Sequence, residues 1–220
     1  MARELVLSYS MLRKYLLSFG IFVLAFLVLI VSVLHTSSVS YAFSATPSPS
    51  GLLEKVGKTS IEYQLPYPGN ILPDSFFWLV KAFRDRIWYL VTFNPLKRAE
   101  LALLFSDKRL EASKTLFDNK KPDVAFSTLS KGEKYLEIAL EDEEIARKEG
   151  MDTSSFLVNL ATASLKHRQI IEQEIIPVSP ESANPEVVKV EDYSKNTYKN
   201  SRDLLNAKGI TPPNSPFSGD

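Results

Sequence analysis

The chain of 220 residues contains no cysteine and only two histidines, His35 and His167. The first absence excludes disulfides, thiolate zinc sites, cysteine-ligated iron–sulfur clusters and cysteine nucleophiles. The second excludes a metal site built from three histidines. Neither sign of charge is in excess, because 26 Lys and Arg balance 26 Asp and Glu, so nothing in the charge favours a polyanion such as nucleic acid. Motifs that carry chemistry are missing too: the sequence holds no phosphate loop, dinucleotide fingerprint, H-E-x-x-H or G-x-S-x-G. No catalytic residue, cofactor or metal is therefore expected, and the chain is read as a non-enzyme.

What is present begins with one long apolar run, "YLLSFGIFVLAFLVLIVSVL", from Tyr15 to Leu34. About 20 such residues, at about 1.5 Å each in a helix, match a hydrocarbon core of about 30 Å. Arg3, Arg13 and Lys14 precede it against a single Glu4, and no Asp, Glu, Lys or Arg comes after it before Glu54. By the positive-inside bias, residues 1–14 are a basic cytoplasmic segment and the rest is exported. The run exceeds the 7–15 or so apolar residues of a cleavable signal, which favours a retained single-pass anchor in the cell membrane. Small residues in "SVSYAFSA" leave the alternative of cleavage near Ala42 or Ser44, giving a secreted form.

Beyond the run, residues 35–73 read as a Ser/Pro-rich spacer and an extended lead-in. Pro66, Pro68 and Pro73 push their preceding residues away from helical dihedrals. Helix signals come next, with clear punctuation. Asp74 after Pro73 opens a helix over 75–92, capped by the aspartate. Asn94-Pro95 opens one over 95–118, and "DNKKP" turns into a third over 122–149, ended by Gly150. Asp152 or Thr153 caps a fourth that Pro177 stops near Ile176. Short connections between long helices imply antiparallel neighbours, so residues 74–176 are expected to form an all-α up-down bundle of three to four long helices. Residues 177–208 read as a linker and a weak helix, and 209–220 as a disordered tail.

Sevenfold spacing supports the bundle. Leu96, Leu103, Leu110 and Phe117 alternate with Ala99, Ser106 and Ser113. The next helix carries Ala125, Gly132, Ala139 and Ala146, with Leu129 and Leu136 between them. The expectation is that large side chains on one helix face small ones on its coiled neighbour.

Three stretches are candidates for a site. In "SFFWLVKAFRDRIWYL", Phe76, Phe83, Ile87 and Leu90 share one face, read as the core stripe. Phe77, Trp78, Trp88 and Tyr89 lie outside it and are the candidates for contact with a protein partner or a membrane interface. The competing and favoured reading buries the helix on more than one side, with Leu65, Tyr67, Ile71 and Leu72 folded across it. His167 near Ser164 suggests a nucleophile–base pair, but with no evident partner acid it reads as a hydrogen-bonded core or boundary histidine. The run "EDEEIARKE" from Glu141 offers clustered carboxylates; within a continuous helix it reads as a solvated face, with Glu144 four residues before Lys148.

The run "LPYPGNILPDSFFWLVKAFRDRIWYLVTFNPLKRAELALLFSDKRLEA" resembles the bacterial exported-domain family known as domain of unknown function 5667. The shared features are a proline lead-in and helix start at Leu72–Ser75, a hinge at Phe93–Pro95, and helix residues Arg98–Leu101 and Arg109-Leu110. "SFFW" stands where the family usually has a proline and smaller residues. The resemblance covers about 60–150 and implies an envelope location and a helical fold, with no catalytic or ligand residues to carry over. The expected function is a membrane-anchored, envelope-facing structural or protein-interaction module, held to the membrane by residues 15–34 and with no nucleic-acid partner. The alternative is a sensory or regulatory protein relaying an extracytoplasmic event through a membrane partner.

Overall fold

A computed structural model of the chain describes residues 14–26, 28 and 61–217. Every described residue is helical, turn or irregular, with no strand among them. Two compact units divide the chain, Met1–Glu54 and Lys55–Asp220.

In the first unit, residues 14–26 form helix α1, and residue 28 is helical as well. Each of these residues is exposed, including Tyr15, Leu16, Phe19, Ile21, Phe22 and Leu24. Among the described residues no helix is long and apolar enough to cross a membrane. The remainder of the 15–34 run lies outside the described residues.

The second unit is an all-α bundle of α2 (Trp78–Val91), α3 (Pro95–Asp118), α4 (Pro122–Lys148), α5 (Ser154–Ile170) and α6 (Asn184–Ala207). The punctuation works as local chemistry dictates. Asn94 Oδ1 accepts a bond from the Lys97 amide at 2.9 Å while Pro95, which has no amide to satisfy, takes the first helical position. After α4, Gly150 adopts φ +82°, and the Met151 amide reaches back to the Ala146 carbonyl at 3.0 Å. At the start of α5 the N-cap residue Thr153 makes no side-chain cap bond, and Asp152 before it accepts from the Ser154 amide at 3.0 Å.

The first helix of this unit departs from expectation. α2 begins at Trp78 rather than residue 75, with no side-chain cap. Asp74 points instead to Lys121, 2.5 Å away, tying the lead-in to the α3–α4 turn. The end of α5 differs as well. The α-helix stops at Ile170 and passes into a π turn over Ile171–Ile175 and a 3-10 turn over Ile176–Val178. The missing amide of Pro177 breaks the ladder, and the wider turn keeps Ile171 and Ile175 buried.

α3 and α4 lie antiparallel in close contact. Ser106 Oγ donates to the Gly132 carbonyl at 2.8 Å, and Ser113 Oγ donates to the Ala125 carbonyl at 2.9 Å. Small residues therefore face small residues, which corrects the expected pairing of small against large. The hydroxyls lie where two backbones approach, and a Cβ added at Gly132 would sit 3.0 Å from Arg109 Cβ. The large side chains turn aside into flanking clusters: Leu103 and Leu136 meet Phe156 and Leu160 of α5 on one side. Leu110, Leu116 and Leu129 meet Ile171, Ile175 and Val187 on the other.

α6 is a full member of the bundle rather than a weak appendage. Leu157 and Leu165 of α5 pack with Tyr198 and Leu205 of α6. Val187 and Val190 meet Ile170 and Ile175, so the two helices run antiparallel. Its sequence looks weak because the small residues Ser194, Thr197 and Ser201 occupy buried positions in place of leucine. The described part of the expected disordered tail, up to residue 217, also packs on this helix. Ile210 and Phe217 sit against the α5–α6 cluster, the Tyr198 hydroxyl donates to the Pro213 carbonyl at 2.8 Å, and the Arg168 guanidinium lies 4.1 Å over the Phe217 ring.

Candidate functional site

α2 rests on the bundle by one narrow face. Trp88 is buried edge-on against Phe105, which in turn meets Tyr135 edge-on, with centroid separations of 6.0 and 5.8 Å. The Tyr89 hydroxyl donates to Asp142 Oδ2 at 2.5 Å, while Arg98 donates to Asp142 Oδ1, through its Nε at 2.9 Å. Burial, and after it the bond to Asp142, pushes the Tyr89 phenol up to about 12. Asp85 is also buried and paired with Arg84 at 2.7 Å. A buried carboxylate is costly unless paired, so these contacts fix which side of α2 faces inward.

That orientation reverses the sequence reading of the helix. Of the expected core stripe, Phe76, Phe83 and Leu90 are exposed, with Phe76 at 84 %, and Ile87 is half-buried; Leu79 and Val80 beside them are exposed as well. Val91 and Phe93 continue the patch, Phe93 at 88 %. Of the candidate contact residues, Phe77 is exposed, Trp78 and Tyr89 are half-buried, and Trp88 is buried at 7 %. The lead-in does not cover the exposed face. Ile61 is buried in the α5–α6 cluster, and Tyr63 and Leu65 pack on the core. Tyr67 is left exposed. At about 100° per residue, Arg84 and Arg86 fall on opposite edges of the exposed apolar stripe.

A second constellation is buried at the meeting of α3, α4, α5 and the lead-in. His167 is fully enclosed, with Nδ1 2.7 Å from Glu133 Oε1 and Nε2 2.9 Å from Asp107 Oδ1. The Tyr63 hydroxyl donates to Asp107 Oδ2 at 2.7 Å. Burial alone would lower the imidazole pKa, but the two acids outweigh it and hold it up to about 9. Burial, with Asp107 beside it, pushes the Tyr63 phenol far above its ordinary range. Both ring nitrogens are engaged, so the ring has no lone pair to offer a substrate. Ser164 Oγ donates to the Leu160 carbonyl at 2.8 Å rather than to His167. Such an arrangement pins four segments together; no group of acids and histidines that could hold a metal occurs among the described residues.

Sequence reasoning read His167 as a hydrogen-bonded core or boundary residue, and it lies in the core, but missed its acids, which stand 60 and 34 residues away in the chain. A local signal existed: Asp107 and Glu133 each come directly after a member of the small-residue seam, Ser106 and Gly132. The acidic run is divided. Glu141 and Glu144 are solvated, and Glu144 pairs with Lys148 at 2.7 Å. Asp142 and Glu143 are buried, Asp142 on Tyr89 and Arg98, Glu143 accepting from Thr153 Oγ1 at 2.5 Å.

Fold and site together define an all-α domain with a sealed ionic centre and one helix whose apolar face is uncovered. The chain belongs to the family described as Domain of unknown function (DUF5667), whose model matches residues 70–181, just over half of the chain. The matched region spans α2 to α5 and the turns after it, while α6 and the docked tail lie beyond. No curated protein and no solved structure matches the chain.

Proposed function

We propose that this chain is a membrane-anchored, envelope-facing helical module that works by contact rather than by chemistry. The observation that carries this reading is α1, a mostly apolar helix with every described side chain exposed. Burying a large apolar side chain is worth about 1.5–3 kcal/mol, so a helix of such residues with no protein cover is best accommodated in lipid. The apolar sequence continues to Leu34, and the basic residues before it favour export of the polypeptide on its C-terminal side. The bundle complements this role. Its buried histidine is fully engaged in structure, and the apolar face of α2 is left uncovered.

The reading is tested by alkaline carbonate extraction of membranes from cells expressing the chain. The full protein is expected to stay in the membrane pellet. A variant with Leu16, Phe22, Leu24 and Leu29 replaced by serine is expected in the supernatant. Release of the unaltered protein by carbonate would contradict the anchor.

A further inference from the structure

We infer that the exposed face of α2 is an interfacial docking surface for an anionic lipid bilayer. Its chemistry fits that occupant. The stripe of Phe76, Leu79, Val80, Phe83 and Leu90 is apolar along its whole length, and its rings stand clear of the bundle. A helix that lies in the headgroup region buries such a stripe about 5–10 Å deep and keeps basic residues at the edges. Here exposed Arg86 flanks one edge of the stripe, with an aliphatic stem long enough to follow the apolar face, while Arg84 at the other edge is turned to Asp85. Asp85, the single acid of α2, is buried on the other side, where it takes Arg84 at 2.7 Å, and Asp74 is taken by Lys121. Arg86 is exposed and carries the charge that no acid of this face offsets. The charge offered to the outside is therefore cationic, complementary to anionic headgroups.

Chain length points the same way. This part rests on the anchored reading: if the apolar run ends at Leu34 in the bilayer, residues 35–60 can span at most about 90 Å even when fully extended. The lipid surface is thus the apolar phase always within reach of α2, whereas a second copy or another protein must first be recruited. A protein groove would also be expected to meet some polar groups, and the stripe itself presents none.

The absence of cysteine allows a direct test on the full chain. Single-cysteine variants Leu79→Cys, Val23→Cys and Lys199→Cys are spin-labelled and mixed, in detergent, with vesicles of two parts phosphatidylcholine to one part phosphatidylglycerol before detergent removal. Collision with lipid-soluble oxygen and with an aqueous nickel chelate is then compared. At position 79 nickel access is expected to fall severalfold relative to position 199, with oxygen access rising. Arg86→Gln is expected to weaken this protection about fivefold in partition, and high salt to act in the same direction.

A label at 79 that stays as nickel-accessible as that at 199 overturns the docking surface, even if position 23 reads as lipid-embedded and the anchor stands. The reverse pattern, protection at 79 without embedding at 23, upholds the surface and removes the anchor. Protection at 79 before any lipid is added, with dipolar broadening between labels, overturns the lipid assignment in favour of a second copy of this chain. Protection at 79 in lipid that is unchanged by Arg86→Gln and by salt overturns the anionic specificity.

Discussion

His167 Nδ1 lies 2.7 Å from Glu133 Oε1, and neither side chain has measurable contact with solvent. This pair, with Asp107 on the other ring nitrogen and Tyr63 behind it, joins α5 to α4, α3 and the lead-in. A protonated imidazole between two acids is stable in the interior only while its proton is held. The folded-state pKa of about 9 stands above the ordinary value of about 6.5. The stabilisation is therefore complete below about pH 6.5 and is lost as the pH rises through about 9. Urea unfolding is expected to show a loss of roughly 3 kcal/mol between pH 6 and pH 10. In His167→Gln this decline should be absent, and the variant should be less stable than the parent at pH 6.

The seam between α3 and α4 has no room for growth. Gly132→Ala places a Cβ 3.0 Å from Arg109 Cβ and 3.4 Å from the Leu110 amide nitrogen and the Ser106 carbonyl oxygen, so the facing backbone and Arg109 must give way slightly. The expected cost is about 1–3 kcal/mol, despite the better intrinsic helix propensity of alanine. Ser106→Ala, which only removes the bond to the Gly132 carbonyl, is expected to cost about 1 kcal/mol. Denaturant midpoints of the two variants decide the order.

The orientation of α2 is open to a paired measurement. Trp88→Ala empties a buried site packed on Phe105 and is expected to cost about 3–5 kcal/mol. Phe83→Ala on the exposed stripe is expected to change stability by no more than about 0.5 kcal/mol. Equal losses from the two would mean that the stripe is covered by the protein itself.

The docked tail yields a smaller effect. Tyr198→Phe removes the hydroxyl bond to the Pro213 carbonyl and is expected to cost about 1 kcal/mol. Phe217→Ala removes the ring beneath Arg168 and is expected to cost about 0.5–2 kcal/mol. Limited proteolysis of either variant should cleave the tail faster than in the parent.

Much of the helical frame was legible from local chemistry. Asn94-Pro95 and Gly150 fix boundaries through capping and left-handed backbone, and those effects depend on neighbours in sequence. The face of α2 was not legible, because the helix is apolar on more than one side and periodicity cannot rank two such faces. The choice is made by Asp85, Trp88 and Tyr89 finding partners in Arg84, Phe105 and Asp142, two of them supplied by other helices. For the same reason the pairing of His167 with Asp107 and Glu133, 60 and 34 residues away, is made only by the fold. α6 and the tail were underestimated since small polar residues and prolines pack well only against a surface already formed.

The most direct test of the membrane-anchored reading uses the Lys199→Cys chain in intact cells, with a membrane-impermeant maleimide added from outside. Position 199 is exposed on α6, so the bundle's location alone decides its reactivity. Full labelling is predicted before lysis, with the labelled chain retained in the membrane fraction. Labelling that appears only after the cells are broken would place the bundle on the cytoplasmic side and contradict that reading.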